Sequence, residues 1–322
     1  TTEIYTLSLH DALPIYSGLC KFEVNCGSLV DIGKTRTSNQ DEVIVCPELG
    51  FFAVSDGMGG LKDGGKTSYM IKEVLPGMIE QAKRQLEEQL EKQSNPAPAP
   101  QDDESVMTLT DEEFLEAASK LLTNSVSVLS DSIYESGNEG HAIEYGATLC
   151  GVWLMQKHAI FVNIGDSRGY LLKRSAREIT QITKDHNIAA LLVESGDLTK
   201  EQAKHHHTSS RITRFMGMPH PAVADTFLIE IEPGDTLLFC SDGLHGMLED
   251  EQLFAILSKE EDPQAACKAL IDAANEAGGK DNISAVCVRI PGKEPAKGTF
   301  RDTVKRFSFL RLINPKSSEN KE

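Results

Sequence analysis

Three short apolar segments between residues 147 and 174 constrain the fold of this chain more than any other feature. They read A-T-L-C-G-V-W-L, H-A-I-F-V-N-I and R-G-Y-L-L-K, with only a few residues between one segment and the next. Segments of this length, rich in β-branched and aromatic residues, are typical of β-strands. Such short links can join antiparallel strands but not parallel ones, which need a long crossover, so the region predicts an antiparallel sheet.

Further strands and helices are predicted on both sides of this region. The strand patterns cover residues 42–46, 50–55, 225–231, 236–240 and 282–290. The helical patterns cover residues 65–92, 110–135, 249–259 and 262–277, with short helices within 187–216. Because helices fall between groups of strands, the order predicts an α+β fold of two stacked antiparallel β-sheets flanked by α-helices on both outer faces, an α-β-β-α sandwich.

The 322-residue chain has room for one such domain with appendages. We assign residues 21–291 to the domain and residues 1–20 to an N-terminal arm, either disordered or a sequencing artefact. Residues 93–110 are rich in proline, alanine and acidic residues, which predicts a disordered insert. The tail at 292–322 is basic, and a solvated tail is favoured over docking on a membrane or a partner.

Charge and cysteine content narrow the functional class. The formal net charge of −17 argues against a nucleic-acid-binding protein, because such proteins grip phosphates with an excess of Lys and Arg. Seven cysteines without a C-x-x-C spacing are typical of buried free thiols in a reducing compartment. No apolar stretch reaches the length of about 20 residues that is needed to span a bilayer. We expect the chain to be cytoplasmic, and we also expect it to be a monomer.

Four aspartates stand in short turns beside predicted strands. S-D-G-M-G-G at 55–60 and F-C-S-D-G-L at 239–244 each follow an apolar strand, and G-G-K-D-N-I-S at 278–284 precedes one. V-N-I-G-D-S-R-G at 162–169 predicts a tight hairpin turn around its aspartate. Any one of them could be a plain turn, but four without clustered His or Cys indicate oxygen ligation, which suits Mg²⁺ or Mn²⁺ and not zinc.

A single arginine, Arg36, lies among small polar residues in D-I-G-K-T-R-T-S-N-Q-D at 31–41. Its guanidinium group presents a planar fork that matches the oxygens of a phosphate group. The alternative is an ordinary exposed arginine, and this residue alone does not decide between them.

Eight short motifs occur in a specific order between about Val30 and Ile290. They are R-x-x-N-Q-D, S-D-G-M-G-G, Y-G-A-T, G-D-S-R, T-x-D-H, I-T-R, S-D-G-L and G-G-x-D-N. No motif is specific alone, but the ordered set resembles the PPM (type 2C) protein phosphatases in their bacterial form. The resemblance implies a metal centre at one end of the sandwich. It also implies hydrolysis of phosphoserine and phosphothreonine by a metal-bridging hydroxide, reversing the action of a Ser/Thr kinase on its protein substrates.

The resemblance also implies a set of metal ligands for Mn²⁺ or Mg²⁺, with two core ions and a third in bacterial members. Asp56 resembles the ligand shared by both core ions, and the Gly57 carbonyl resembles a ligand of the second. Asp242 and Asp281 match further ligands of the first ion. Asp166, together with Asp242, matches the third-ion site.

Other positions match supporting roles, with two departures from the family pattern. Asp41 matches the carboxylate that orients metal-bound waters, Arg36 matches the phosphate binder, and Asn282 is expected to support the Asp281 turn. Gln40 stands where many members have Glu. Met58 stands where animal-type members have a His proposed as the general acid, which leaves the source of the leaving-group proton open.

The serines that precede two of the aspartates, and one histidine, are assigned structural roles. Ser55 and Ser241 precede the aspartates without a paired His base, so neither is predicted to be a nucleophile. His186 is expected to be a structural hydrogen-bonding residue.

Two alternatives to a protein phosphatase are a catalytically weak member that binds phosphoproteins or a kinase, and a two-metal phosphoesterase acting on small molecules.

Overall fold

The computed structural model of the protein describes residues 23–58, 64–94, 110–137, 145–173, 176, 178–204, 206–219 and 221–292. The predicted N-terminal arm, nearly all of the insert at 93–110 and nearly all of the basic tail lie outside these residues. The described part contains ten strands and seven helices.

The strands are β1 (Asn25–Asp31), β2 (Asp41–Cys46), β3 (Phe51–Asp56), β4 (Leu149–Met155), β5 (His158–Ile164), β6 (Arg168–Leu172), β7 (Thr180–Gln181), β8 (Asp225–Glu230), β9 (Thr236–Cys240) and β10 (Ile283–Arg289). The helices are α1 (Gly64–Ser94), α2 (Asp111–Gly137), α3 (Ile188–Glu194), α4 (Lys200–Lys204), α5 (Asp242–His245), α6 (Asp250–Lys259) and α7 (Pro263–Glu276).

The strands form two five-stranded sheets with orders β1-β10-β9-β6-β7 and β2-β3-β4-β5-β8. Every pair of neighbouring strands is antiparallel, as the short links predict. Strand alternation divides the core into layers, because successive side chains point to opposite faces. In β3, Phe51 and Ala53 pack with α1 and α2, whereas Phe52 and Val54 pack between the sheets.

The second sheet is covered in the same way on its outer face. Leu238 and Cys240 of β9 pack with α6 and α7, whereas Leu237 and Phe239 face the other sheet. The four layers confirm the predicted α-β-β-α sandwich.

Local signals account for the starts of the long helices. Thr110 and Glu113 form the predicted capping box before α2: the Thr110 N–H donates to Glu113 Oε2 at 2.8 Å and the Glu113 N–H to Thr110 Oγ1 at 3.2 Å. Before α7, Asp262 accepts the Ala265 N–H at 2.8 Å, and Pro263 occupies the first turn.

The structure corrects one prediction about the turn at 165–168. Asp166 does not lie in a hairpin, because β5 and β6 belong to different sheets. Both edges of β5 are already paired, with β4 and β8, so β6 crosses to the other sheet. Gly165 permits this crossing with a φ of 121°, which a residue with a side chain rarely adopts. Asp166 therefore lies at the end of the sandwich, between the two sheets.

Strand β1 is an element that the sequence did not reveal as a strand. Its sequence, N-C-G-S-L-V-D, lacks a clear alternation of apolar and polar residues. Gly27 lies under the start of α7, where a Cβ would collide with the backbone of Gln264. Close packing of α7 on β1 therefore requires glycine at this position in place of a typical strand residue.

Two broader expectations concern cysteines and membranes. All six cysteines in the described ranges are free, and four of them are buried, whereas Cys26 and Cys46 are partly buried. Within the same ranges, no helix has the length and apolar character needed to cross a membrane.

Candidate active site

Asp41 and Asp56 face each other across neighbouring strands. They are directly paired in the β2–β3 register, and residues opposed in this way have Cβ atoms about 4.5–5.5 Å apart. Asp41 is only 3% exposed, and neither of its carboxylate oxygens has a hydrogen-bond partner. Two carboxylates so close and so poorly solvated repel each other unless a cation or a proton offsets the charge.

Asp242 and Asp281 reach the same end of the sandwich from the other sheet. Asp242 is the first residue of α5, directly after β9, and Asp281 lies just before β10, the strand next to β9. Gly243 makes this approach possible, because a Cβ there would collide with the Asn282 carbonyl oxygen. The Asp242 Oδ1 atom is buried without a hydrogen-bond partner.

The electrostatics of the cluster indicate a missing positive charge. Burial, followed by the charge of Asp281, raises the pKa of Asp242 to about 6. Burial and the charge of Asp242 raise the pKa of Asp41 to about 7. The pKa values of Asp56 and Asp166 lie well above the ordinary range for the same two reasons. Asp56 interacts with the charges of all the others, which are Asp41, Asp242, Asp166 and Asp281.

This donor set fits divalent cations of the Mg²⁺ and Mn²⁺ type. The clustered donors are carboxylates, the ligand class that such hard cations prefer. Cations would also offset the repulsion that raises the pKa values of the four carboxyl groups. In the present arrangement, no three acidic, histidine or cysteine side chains of the described residues are close enough to hold one ion together.

The carboxylate of Asp281 is engaged by Arg36. The Arg36 Nη2 atom lies 2.6 Å from Asp281 Oδ2, and the Arg36 side chain is 42% exposed. This hydrogen bond, partly opposed by burial, raises the pKa of Arg36. The other oxygen, Asp281 Oδ1, accepts the backbone N–H of Asn282 at 2.8 Å. Arg36 therefore lies at the edge of the carboxylate cluster with part of its surface open to solvent.

Asn282 positions the loop that carries Arg36. Its Nδ2 atom donates to the carbonyl oxygens of Ile32 and Ser38, both at 3.0 Å, and its Oδ1 atom accepts the Gln40 N–H at 2.9 Å. The sequence predicted support for the Asp281 turn, which the backbone N–H provides. The side chain adds a second contact, to the loop at 32–40, which the sequence did not predict.

Gln40 and Gly57 interact through their backbones. The Gln40 carbonyl accepts the Gly57 N–H at 3.0 Å and the Ser68 hydroxyl at 2.6 Å. A Cβ at Gly57 would collide with the backbone of Gly64 at the start of α1. Glycine at position 57 is thus required for close packing, and ligation by its carbonyl stays a prediction.

Two histidines contact the turn that carries Asp166. His186 Nδ1 accepts the Gly165 N–H at 3.1 Å, which agrees with the structural role expected for His186. His245 Nε2 lies 2.9 Å from the Asp166 carbonyl oxygen. Sequence reasoning missed His245, although its position three residues after Asp242 on a helical turn placed it on the same helix face.

The serines before the aspartates have structural contacts. Ser55 Oγ donates to the Thr148 carbonyl at 2.7 Å, and Ser241 Oγ accepts the Ser284 N–H at 3.0 Å. Both serines are fully buried, so neither hydroxyl is placed to attack a substrate.

Comparison with known families decides the class of protein. The family model described as Protein phosphatase 2C matches residues 34–275, which include most of the candidate site residues. This chain belongs to the protein phosphatase 2C family. The assignment made from the ordered motifs is thereby confirmed, and with it the class of metal-dependent phosphoprotein phosphatases.

Individual relatives of this phosphatase are bacterial. A serine/threonine phosphatase stp of Listeria monocytogenes is 29% identical over 261 residues, covering 80% of this chain and 92% of the relative. The protein phosphatase PhpP of Streptococcus pneumoniae is 27% identical over 264 residues, covering 81% and 95%.

Solved structures agree with the fold. The S. agalactiae serine/threonine phosphatase has a TM-score of 0.65 and 27% identity, covering 83% of this chain and 100% of its own. The catalytic domain of the phosphatase PstP, solved with two manganese ions, has a TM-score of 0.61 and 25% identity, covering 83% and 98%.

Proposed function

We propose that this phosphatase hydrolyses phosphoserine and phosphothreonine in proteins, using Mn²⁺ or Mg²⁺. The observation that carries the proposal is the cluster of buried aspartates with raised pKa values, contributed by both sheets and bordered by Arg36. Such a cluster is costly for the fold unless cations bind to it. Relatives named serine/threonine phosphatase, from Listeria monocytogenes and S. agalactiae, support the choice of substrate class.

The proposed ligands are those that the resemblance implies. Asp56 would hold both core ions, the Gly57 carbonyl the second, and Asp242 and Asp281 the first. Asp166, together with Asp242, would hold a third. When bound there, divalent cations would lower the pKa of a coordinated water and so supply hydroxide near neutral pH.

Two side chains act on substrate or solvent in this proposal. Arg36 uses one nitrogen for Asp281, so further N–H groups of its fork remain for a phosphoryl oxygen. Its partial exposure allows a phosphorylated side chain to reach it. Both carboxylate oxygens of Asp41 are buried without a hydrogen-bond partner at bonding distance among the described residues, which would let them accept hydrogen bonds from water and orient that water.

We further propose that the enzyme reverses the action of a Ser/Thr kinase on its protein substrates. The competing function is a catalytically weak member that binds phosphoproteins without turnover. The presence of all four predicted aspartate ligands, and of Arg36 beside them, favours the active enzyme.

The test compares hydrolysis of a phosphothreonine peptide, para-nitrophenyl phosphate and a sugar phosphate in EDTA, Mg²⁺ and Mn²⁺. Asp56→Asn should abolish turnover, because it replaces by a neutral amide the carboxylate that both core ions would share. Asp272→Asn is the matched control, since Asp272 is exposed on α7 and pairs with Lys268 at 2.7 Å. Metal-dependent turnover by Asp56→Asn within tenfold of wild type would reject the site, and preference for the sugar phosphate would reject the substrate class.

A further inference from the structure

The turn at 165–168 is anchored on several sides. Its anchors are the Gly165 N–H on His186 Nδ1 at 3.1 Å, the hydroxyls of Ser167 and Thr148 at 2.6 Å, and Arg168 on Asp185 at 2.7 Å. These contacts attach the turn to the residue before β4 and to the segment after β7, and Arg168 also pairs with Cys240 of β9. None of them attaches it to the helix that carries Asp242, the residue with which Asp166 would share an ion.

His245 supplies that link. It is the last residue of α5, whose first residue is Asp242, and its Nε2 atom lies 2.9 Å from the Asp166 carbonyl oxygen. Residues three apart on a helix lie on the same face, so Asp242 and His245 face the same neighbouring turn. One helical turn therefore connects the backbone of one candidate ligand to the backbone of the other.

The chemistry of the contact fixes its direction. A carbonyl oxygen only accepts hydrogen bonds, so Nε2 must carry the hydrogen and donate it. The helix itself is held by Leu244, which is buried in the core between the sheet of β9 and the helices α6 and α7.

We propose that His245 is a positioning residue that sets the separation between Asp166 and Asp242. With both backbones fixed, the two carboxylates keep one spacing, and an ion shared between them binds without first ordering the turn. This inference rests on the proposed function, because it concerns the weaker ion site of that same centre.

The experiment uses three variants of the full chain. His245→Phe removes the donor while keeping a flat ring, and His245→Gln places an amide N–H near the position of Nε2. Leu248→Ala is the stability control, because it destabilises the same region without touching Asp166. Each variant is examined by hydrogen exchange without metal, by calorimetric Mn²⁺ titration and by hydrolysis of a phosphothreonine peptide.

In His245→Phe, the amides of residues 165–168 should exchange about fivefold faster in the metal-free protein, as expected for one lost hydrogen bond. Its tight Mn²⁺ binding should persist, while the affinity of the weaker site falls about tenfold or more. His245→Gln should restore most of both properties. Leu248→Ala should lower the unfolding temperature and leave the weaker Mn²⁺ affinity unchanged.

Equal exchange and equal Mn²⁺ titrations in wild type and His245→Phe would overturn the inference, as would a loss of the weaker site in Leu248→Ala. The proposed function fails separately, if the wild type shows no metal-dependent phosphopeptide hydrolysis. The exchange measurement still reports on His245 in that case, because it requires neither metal nor turnover.

Discussion

Replacing Asp41 by Asn should stabilise the metal-free protein at pH 8. Asp41 is buried opposite Asp56, and its pKa is raised from 3.8 to about 7. A carboxyl group whose pKa is raised on folding contributes stability below its unfolded pKa, and this contribution is lost as the pH rises through the folded pKa. Above pH 7 the folded protein therefore carries the full cost of the ionised Asp41.

The magnitude follows from the shift. The rise of the Asp41 pKa from 3.8 to about 7 corresponds to about 4 kcal/mol. The asparagine amide remains buried without a partner, which costs about 1–3 kcal/mol. A net gain of about 2 kcal/mol is expected, or about 4–8 °C in unfolding temperature for a domain of this size. The gain should shrink toward pH 5, where the wild-type carboxyl group takes up a proton.

Thermal and urea unfolding in EDTA at pH 5 and pH 8 measure this effect. Asp185→Asn is the control with the opposite sign. Burial raises the pKa of Asp185, but the charge of Arg168 and the hydrogen bonds from Arg168 and Gln181 together outweigh burial and leave the pKa lowered, so this variant should lose stability at pH 8. Addition of Mn²⁺ should remove the advantage of Asp41→Asn. An Asp41→Asn protein no more stable than wild type at pH 8 in EDTA, or equally stabilised at both pH values, would refute the reasoning.

Two further predictions concern Arg36 and Asp166. Arg36→Ala should raise KM about tenfold or more through loss of a charged phosphate contact, while calorimetric Mn²⁺ affinity stays the same or increases because Asp281 is released; an unchanged KM or weaker Mn²⁺ binding would contradict this. Asp166→Ala should keep the tightly bound pair of ions but lose more activity on phosphopeptides than on para-nitrophenyl phosphate. The phosphopeptide leaving group needs a proton, which Met58 cannot donate, whereas para-nitrophenolate departs without one. Equal losses on both substrates, or loss of the tight pair in calorimetry, would reject that role for Asp166.

Local sequence signals predicted most of the fold. Strands such as Phe51–Asp56 and helices such as Pro263–Glu276 carry clear apolar patterns and caps, and the short links fixed the antiparallel pairing. β1 was not predicted, because close packing under α7 requires glycine at position 27, and glycine has a low strand propensity. Likewise, the three-residue link between β5 and β6 does not reveal whether it closes a hairpin or crosses between sheets, because that depends on the partners of β5.

The candidate site divides in the same way. The order of the aspartate motifs indicated which residues to bring together, and the structure places Asp41, Asp56, Asp166 and Asp242 within reach of each other's charges. The contacts of Asn282 with the Arg36 loop and of His245 with Asp166 join residues that are 244 and 79 positions apart. No local pattern encodes such contacts, because each depends on the packing of elements from distant parts of the chain.

The division of the ligands between the sheets links metal binding to the integrity of the sandwich. Asp41 and Asp56 belong to one sheet, Asp242 and Asp281 lie beside strands of the other, and Asp166 lies where the chain crosses between them. Without cations, repulsion among these carboxylates acts to separate the sheets at this end. Cations that bind only when the two sheets are together stabilise the folded protein. Once their concentration exceeds the dissociation constant, this stabilisation grows with the logarithm of the concentration. The inter-sheet core around Phe52, Phe161 and Phe239 therefore has to hold the cluster together before ions arrive. The same core then positions ligands from both sheets for catalysis.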